Sequence, residues 1–186
     1  LAGTQRPRVD FPDGAGMSAG PFFGKYRGTV INNVDPMQIA RIQAIVPDVG
    51  GLLPSSWAMP CVPVAGINMG IFTVPPIGSG VWIEFERGDP DYPIWVGGYW
   101  GTAAETPAMA KTVPPVFAGI TLQTTLKNGI VISDVPGPTG GILIQTTAGA
   151  MISVSDIGIV ISNGKGAIIN MTGPTTDVNA GALTVI

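Results

Sequence analysis

From residue 119 onward the chain repeats one short phrase: a glycine, apolar residues alternating with others, then a polar residue and a turn. Gly119-Ile120-Thr121-Leu122-Gln123-Thr124 is the first unit and Gly129-Ile130-Val131-Ile132-Ser133-Asp134 the second. Gly141-Ile142-Leu143-Ile144-Gln145-Thr146, Gly149-Ala150-Met151-Ile152-Ser153-Val154, Gly158-Ile159-Val160-Ile161-Ser162-Asn163 and Gly166-Ala167-Ile168-Ile169-Asn170-Met171 continue it. Residues 178–186 hold a last copy of ambiguous register. Alternation with a period of two places one apolar face on each strand. Strands this short cannot cover that face within one chain, and the units lack the coil length of a single-chain β-helix. Three chains winding round a common axis solve both problems, each strand supplying one wall. The expected trimer core is Ile120, Leu122, Ile130, Ile132, Ile142, Ile144, Ile152, Val154, Ile159, Ile161 and Ile169. An ordinary β-sandwich is the competing arrangement. Its strands would not share one spelling, yet Gly-Ile-Val-Ile-Ser occurs twice, and no aromatic residue follows Phe117.

Residues 26–101 carry a different pattern. Tyr26-Arg27-Gly28-Thr29-Val30-Ile31-Asn32 predicts a strand, followed by a turn at Asn33-Val34-Asp35-Pro36, since a residue before proline avoids the helical region. Residues 39–46 alternate loosely and predict a second strand. Residues 47–56 form a Gly/Pro-rich loop, and 57–64 an extended, proline-rich segment suited to an edge or bulged strand. Val81-Trp82-Ile83-Glu84-Phe85-Glu86 alternates cleanly, with Val81, Ile83 and Phe85 on one face. A turn at Gly88-Asp89-Pro90-Asp91 leads to the strand Tyr92-Pro93-Ile94-Trp95-Val96-Gly97-Gly98-Tyr99-Trp100. About five short strands in this length fit a small OB-type Greek-key barrel. Residues 1–25 are irregular, with the pair Phe22-Phe23 as an apolar anchor without an evident local core. Residues 102–118, rich in Ala, Thr and Pro, read as a linker. The expected class is therefore all-β: an N-terminal arm (1–25), an OB-fold barrel (26–101), a linker (102–118) and a three-chain β-helical needle (119–186).

Composition sharpens this. Only 11% of the 186 residues are charged, while 45% are hydrophobic. A typical domain has roughly 25% charged residues, so a chain this poor in charge needs another surface to bury its apolar residues, most simply a copy of itself. The chain contains no histidine, which removes Ser-His-Asp and Cys-His sites and any His-containing zinc site. The single Cys61 cannot pair within the chain and reads as a small buried hydrophobe. A net charge of −3 without a basic cluster argues against binding a phosphate backbone.

Two other functional classes compete. Trp57, Trp82, Trp95, Tyr99 and Trp100 could serve an OB-fold oligonucleotide- or oligosaccharide-binding module as stacking platforms. No basic residues accompany them along the chain, so core and interface roles are favoured. Glu84 and Glu86 could be the paired carboxylates of a glycosidase, which need about 5–9.5 Å between them across a cleft. Solvated charges at a strand edge are the commoner explanation.

Residues 25–100 resemble the OB domain of the phage baseplate protein V family, the central spikes of contractile phages, related to a domain of VgrG in type VI secretion. Gly24-Lys25-Tyr26-Arg27-Gly28-Thr29-Val30-Ile31-Asn32, Asp35-Pro36, Arg41 to Pro47, Ser55-Ser56-Trp57-Ala58 and Pro75 to Gly98 carry the resemblance. The repeat is similar to the trimeric β-helix that follows this domain in the family.

The resemblance implies a non-enzymatic, cofactor-free and metal-free central spike. It would be made in the bacterial cytoplasm and placed in a virion's tail baseplate or an extracellular injection particle. Its implied partners are two further copies (a homotrimer), a ring-shaped baseplate hub protein, a PAAR-type tip protein and the target-cell envelope, with no nucleic acid. Phe22, Phe23 and Tyr26 are the expected hub contacts, and Leu183, Val185 and Ile186 the expected tip contacts. Two features of some relatives are missing. No lysozyme domain fits between barrel and needle, and no histidine pair is present to hold a metal at an apex.

Overall fold

The computed structural model describes residues 20–185. It divides into two compact units, split between Gly101 and Thr102.

The first unit is built on a five-stranded sheet of order β2-β1-β6-β7-β3. Its strands are β1 (Tyr26–Asn32), β2 (Gln43–Ile45), β3 (Met59–Pro60), β6 (Gly80–Phe85) and β7 (Pro93–Tyr99), with a short hairpin of β4 (Ala65–Gly66) and β5 (Met69–Gly70) between β3 and β6. β1 pairs antiparallel with β2 and β6, β6 antiparallel with β7, and β3 parallel with β7. The ring closes where Ala58 and Ile42 exchange backbone hydrogen bonds, at 2.7 and 3.2 Å. Register shifts at Val30/Asn32 and at Trp82/Ile83 bend the strands as a small barrel requires. Val30, Ile42, Ala44, Val46, Ala58, Val81, Ile83, Phe85 and Trp95 fill the interior.

The strand expected over 39–46 shortens to Gln43–Ile45, because Asp35 takes the preceding backbone for itself. Its carboxylate accepts from the backbone N–H groups of Met37 (2.9 Å), Ile39 (3.0 Å) and Arg41 (3.2 Å). Arg41 adds Nε at 3.0 Å and Nη2 at 2.6 Å. This winding forces Gln38 and Ala40 to positive φ of 54° and 65°. The buried Trp95 donates its indole N–H to the carbonyl of Ala40 at 3.0 Å, tying the loop to the far side of the barrel. The segment expected as strand over 57–64 is ordered as β3 for Met59–Pro60 alone.

The second unit is an eight-stranded antiparallel meander in strict chain order. It comprises β8 (Gly119–Gln123), β9 (Gly129–Ser133), β10 (Gly141–Gln145), β11 (Met151–Val154), β12 (Ile159–Ser162), β13 (Ile168–Thr172), β14 (Thr175–Val178) and β15 (Leu183–Val185). Gly141 and Gly158, which open two of the units, have a steric reason. A Cβ on Gly141, at φ 78°, would lie 2.1 Å from the carbonyl oxygen of Val154, and one on Gly158 the same distance from that of Met171. The backbone of the neighbouring strand takes the space a side chain would occupy.

The stretch 102–118, expected as a linker, belongs to this unit. It holds a 3-10 helix, Ala108–Thr112, which packs on β8 and β9. The N–H of Met109 donates to Oε1 of Gln123 at 2.8 Å.

Two outcomes test this reading of the fold. Hydrogen bonds from Arg41, and then from the backbone, hold the Asp35 carboxyl well below the usual aspartate range against the opposing effect of its burial. The unfolded chain therefore binds the proton more readily. The stabilisation is complete above the unfolded aspartate value of about 4 and is lost as pH falls below it. Asp35→Asn is expected to lower the barrel's thermal midpoint at pH 7 and to flatten its loss of stability between pH 4 and the acid limit; calorimetry across pH measures both. Gly141→Ala should cost the meander roughly 2 kcal/mol, read as faster amide exchange across β9, β10 and β11.

Candidate assembly surfaces

In the meander, strand register turns sequence alternation into two straight files on one face. Ile120 pairs with Ile132, Ile132 with Ile142, Ile142 with Val154, Val154 with Ile159, and Ile159 with Met171. Beside it run Leu122, Ile130, Ile144, Ile152, Ile161 and Ile169, then Val178 and Leu183. All eleven residues expected in a trimer core lie in these files. Thr176 is the polar residue in the first file, opposite Met171.

Among the described residues, nothing in the second unit covers this face. Ile130, Ile144 and Ile169 remain 38%, 43% and 37% exposed, and Leu122 at the first strand 66%. These values contrast with the complete burial of Ile42 and Ile83 in the barrel. The opposite face carries Thr121, Val131, Leu143, Ser153, Val160, Asn170 and Asp177 at alternate positions. Val131 is buried there, on the strand against which the 3-10 helix packs. Charges stay off the apolar files. Lys127, Asp134, Asp156 and Lys165 sit in turns, and Asp177, on the other face, accepts the N–H of Gly181 at 2.6 Å.

Strand pairing also bears on how chains could assemble. Each strand from β9 to β14 is hydrogen-bonded on both edges to its own chain's preceding and following strands. A single chain thus supplies a continuous eight-strand wall; the sequence expectation was of three chains winding round a common axis, each strand supplying one wall. Turns of two to seven residues between the strands make the antiparallel return the shortest path. Gly173-Pro174 is one such turn, and the strands after it extend the same sheet. Leu183 and Val185, expected as tip contacts, are register partners of Val178 and Thr176. The third, Ile186, lies outside the described residues.

The expected hub residues divide. Phe22 and Tyr26 pack against the barrel core, with ring centroids 6.0 and 5.6 Å from that of Phe85. Phe22 is also pinned by its N–H to the carbonyl of Gly88 at 2.8 Å. The local core that the sequence did not reveal is thus the open end of the barrel. Phe23 points the other way and is 70% exposed. The rest of the arm, residues 1–19, lies outside the described residues.

Three of the five aromatic residues have basic companions, contrary to the sequence reading, while Trp95 is buried in the core and Trp100 is exposed. The Arg27 guanidinium lies 5.5 Å from the ring centroid of Trp82 and 5.3 Å from that of Tyr99, and Arg41 lies 5.3 Å from that of Trp57. These partners are distant in sequence and are joined by strand pairing. The arginines occupy the ring faces that a stacking base or sugar would use, and Arg41 is also committed to Asp35. Cys61, expected buried, is exposed: its N–H continues the pairing with β7 through the carbonyl of Trp95 at 2.9 Å, while its side chain lies outside the barrel. Of the two candidate carboxylates, Glu84 is ion-paired with Lys25, and Glu86 falls beyond the strand, in the 3-10 turn Glu86–Gly88.

A small closed β-barrel joined to a charge-poor meander with one open apolar face defines a structural assembly protein. The model of the type VI secretion system/phage-baseplate injector OB domain matches residues 26–100, and that of the phage baseplate V C-terminal trimerisation domain matches residues 119–184. The chain belongs to the phage baseplate assembly protein V family, whose role in a baseplate or injection particle is structural. Among curated proteins there is no match.

One outcome checks the aromatic assignment. Arg27→Ala should open the Trp82 and Tyr99 rings to solvent and raise the accessibility of tryptophan to a neutral fluorescence quencher. Oligonucleotide binding at low salt should stay undetectable in both proteins.

Proposed function

We propose that this protein is the central spike of a contractile phage tail or phage-derived injection system, a homotrimer without enzymatic activity. The observation that carries this is the open two-file aliphatic face, eight strands long, in the segment matched by a trimerisation domain. Three such sheets set around an axis form a three-sided prism with the files inside. Each layer would then hold six inward side chains, two from each chain. With strands about 4.8 Å apart, eight strands make a column roughly 35–40 Å long. About two fifths of each central Ile is open in the lone chain, so closing the prism gains roughly 1 kcal/mol per side chain. Repeated along the files, that exceeds the stability of many single domains. A rod held by such a core resists axial load, as a component driven through a target-cell envelope must.

The barrel supports the attachment end. Its enclosed core and arginine-covered aromatic rings suit a scaffold better than a ligand cleft, and Phe23 offers an apolar contact for a hub protein. In the second unit, among the described residues, β15 is an edge strand of the sheet and Leu183 has an exposed side chain. Both suit a PAAR-type tip protein that adds to unpaired strands.

Native mass spectrometry is expected to give three times the 19.1 kDa chain mass; a folded monomer at micromolar concentration overturns the spike reading. Ile144→Asp would place three carboxylates within one apolar layer and should abolish the trimer through the cost of unpaired buried charge. Thr121→Asp, on the opposite face, should leave the trimer intact. Phe23→Ser should preserve the trimer and weaken co-purification with the hub protein at least tenfold.

A further inference from the structure

The barrel carries an exposed apolar element that its fold does not explain. Between β3 and β6 the chain leaves the barrel, forms the β4–β5 hairpin and returns. Both ends are anchored: Cys61 donates its N–H to Trp95, Val74 packs on the core, and Asn33 donates to the carbonyl of Pro75 at 3.0 Å. The hairpin is closed by the N–H of Ile71 donating to the carbonyl of Val64 at 3.1 Å. Gly70, at φ 155°, approaches so closely that a Cβ there would lie 2.8 Å from the same carbonyl oxygen. The shape is therefore hydrogen-bonded, not frayed. Yet Ile67 at its tip is 97% exposed, and Met69, Ile71 and Phe72 are more than half exposed. Grouped apolar exposure of this kind marks a contact surface.

We propose that the hairpin is a second protomer–protomer contact, in which Ile67, Met69 and Phe72 of one barrel pack against the same hairpin of the neighbouring copies around the three-fold axis. Two observations select a second copy as the occupant. No charged residue occurs between Asp48 and Glu84, although charges lie on both sides of that stretch. An interface repeated around a three-fold axis triplicates any charge placed near the axis, so a charge-free protrusion suits self-contact. The same chain also carries the segment matched by a trimerisation domain. Tethering holds three barrels at an effective concentration on the order of millimolar, where an apolar contact too weak to form between free barrels becomes occupied. The contact rests on the trimer reading above and adds a lock at the barrel level, separate from the aliphatic files.

The test uses the full chain with Cys61→Ser to remove the native thiol. Ile67→Cys is treated with a short bis-maleimide and compared with Val34→Cys, a position 76% exposed in the turn after β1. Ile67→Cys is expected to give a covalent dimer within the trimer, in a yield independent of dilution, and Val34→Cys is not. Amides of residues 64–72 are expected to exchange roughly tenfold slower in the parent than in Ile67→Asp, the equivalent of burying one isoleucine. A native-mass trimer in which Ile67→Cys links no better than Val34→Cys, or in which Ile67→Asp leaves exchange unchanged, overturns the hairpin contact alone. Slowing of exchange only when hub protein is added assigns the hairpin to the hub and likewise overturns self-contact. A monomer by native mass overturns the spike reading and this contact with it.

Discussion

Two adjacent files of aliphatic side chains on one face of an antiparallel meander constrain everything else in the second unit. A sheet face of that kind is stable only when something apolar lies against it. The chain spends its local resources on keeping the face flat and continuous. Every interior strand pairs with its sequence neighbours, turns take the charges, and glycine opens strands where a neighbouring carbonyl leaves no room for a side chain. The opposite face receives the 3-10 helix at β8 and β9. The aliphatic files receive nothing from the described residues of their own chain, and this is the physical basis for reading the molecule as one part of an assembly.

The first unit solves the opposite problem. Its core closes within a single chain, and its determining contact is polar. Asp35 gathers three backbone N–H groups and the Arg41 guanidinium, so a loop that could have continued β2 becomes a plug held to Trp95. Arg41 then rests on Trp57, and Arg27 on Trp82 and Tyr99. Charges and aromatic rings that might have formed a binding cleft are spent on each other. One chain thus carries a self-sufficient barrel and a sheet that is incomplete alone, a division suited to a structural part of a larger assembly.

The repeat was legible because its information is local. A period of two assigns Ile130 and Ile132 to one face whatever the tertiary structure, and the absence of charge and aromatics from that face is visible without coordinates. The alternation of Val81, Ile83 and Phe85 fixed the core face of β6 in the same way. By contrast, the partners of each strand depend on turn geometry and on pairs far apart in sequence. The within-chain wall, the shortening of the segment 39–46 around Asp35, and the packing of residues 102–118 on β8 came from the tertiary structure.

The same distinction explains the individual residues. Phe22 looked like a free anchor because Phe85, which lies beneath it, is more than sixty positions away. Trp57, Trp82 and Tyr99 looked unaccompanied because Arg27 and Arg41 reach them only across strands. Cys61 looked buried because its neighbours are apolar, yet the short parallel pairing of β3 leaves its side chain outside. Sequence alone determined which faces are apolar and where charge is excluded, since side-chain chemistry and period are local properties. Tertiary structure decided which of those faces the chain covers itself, because burial is set by contacts that only the folded path brings together.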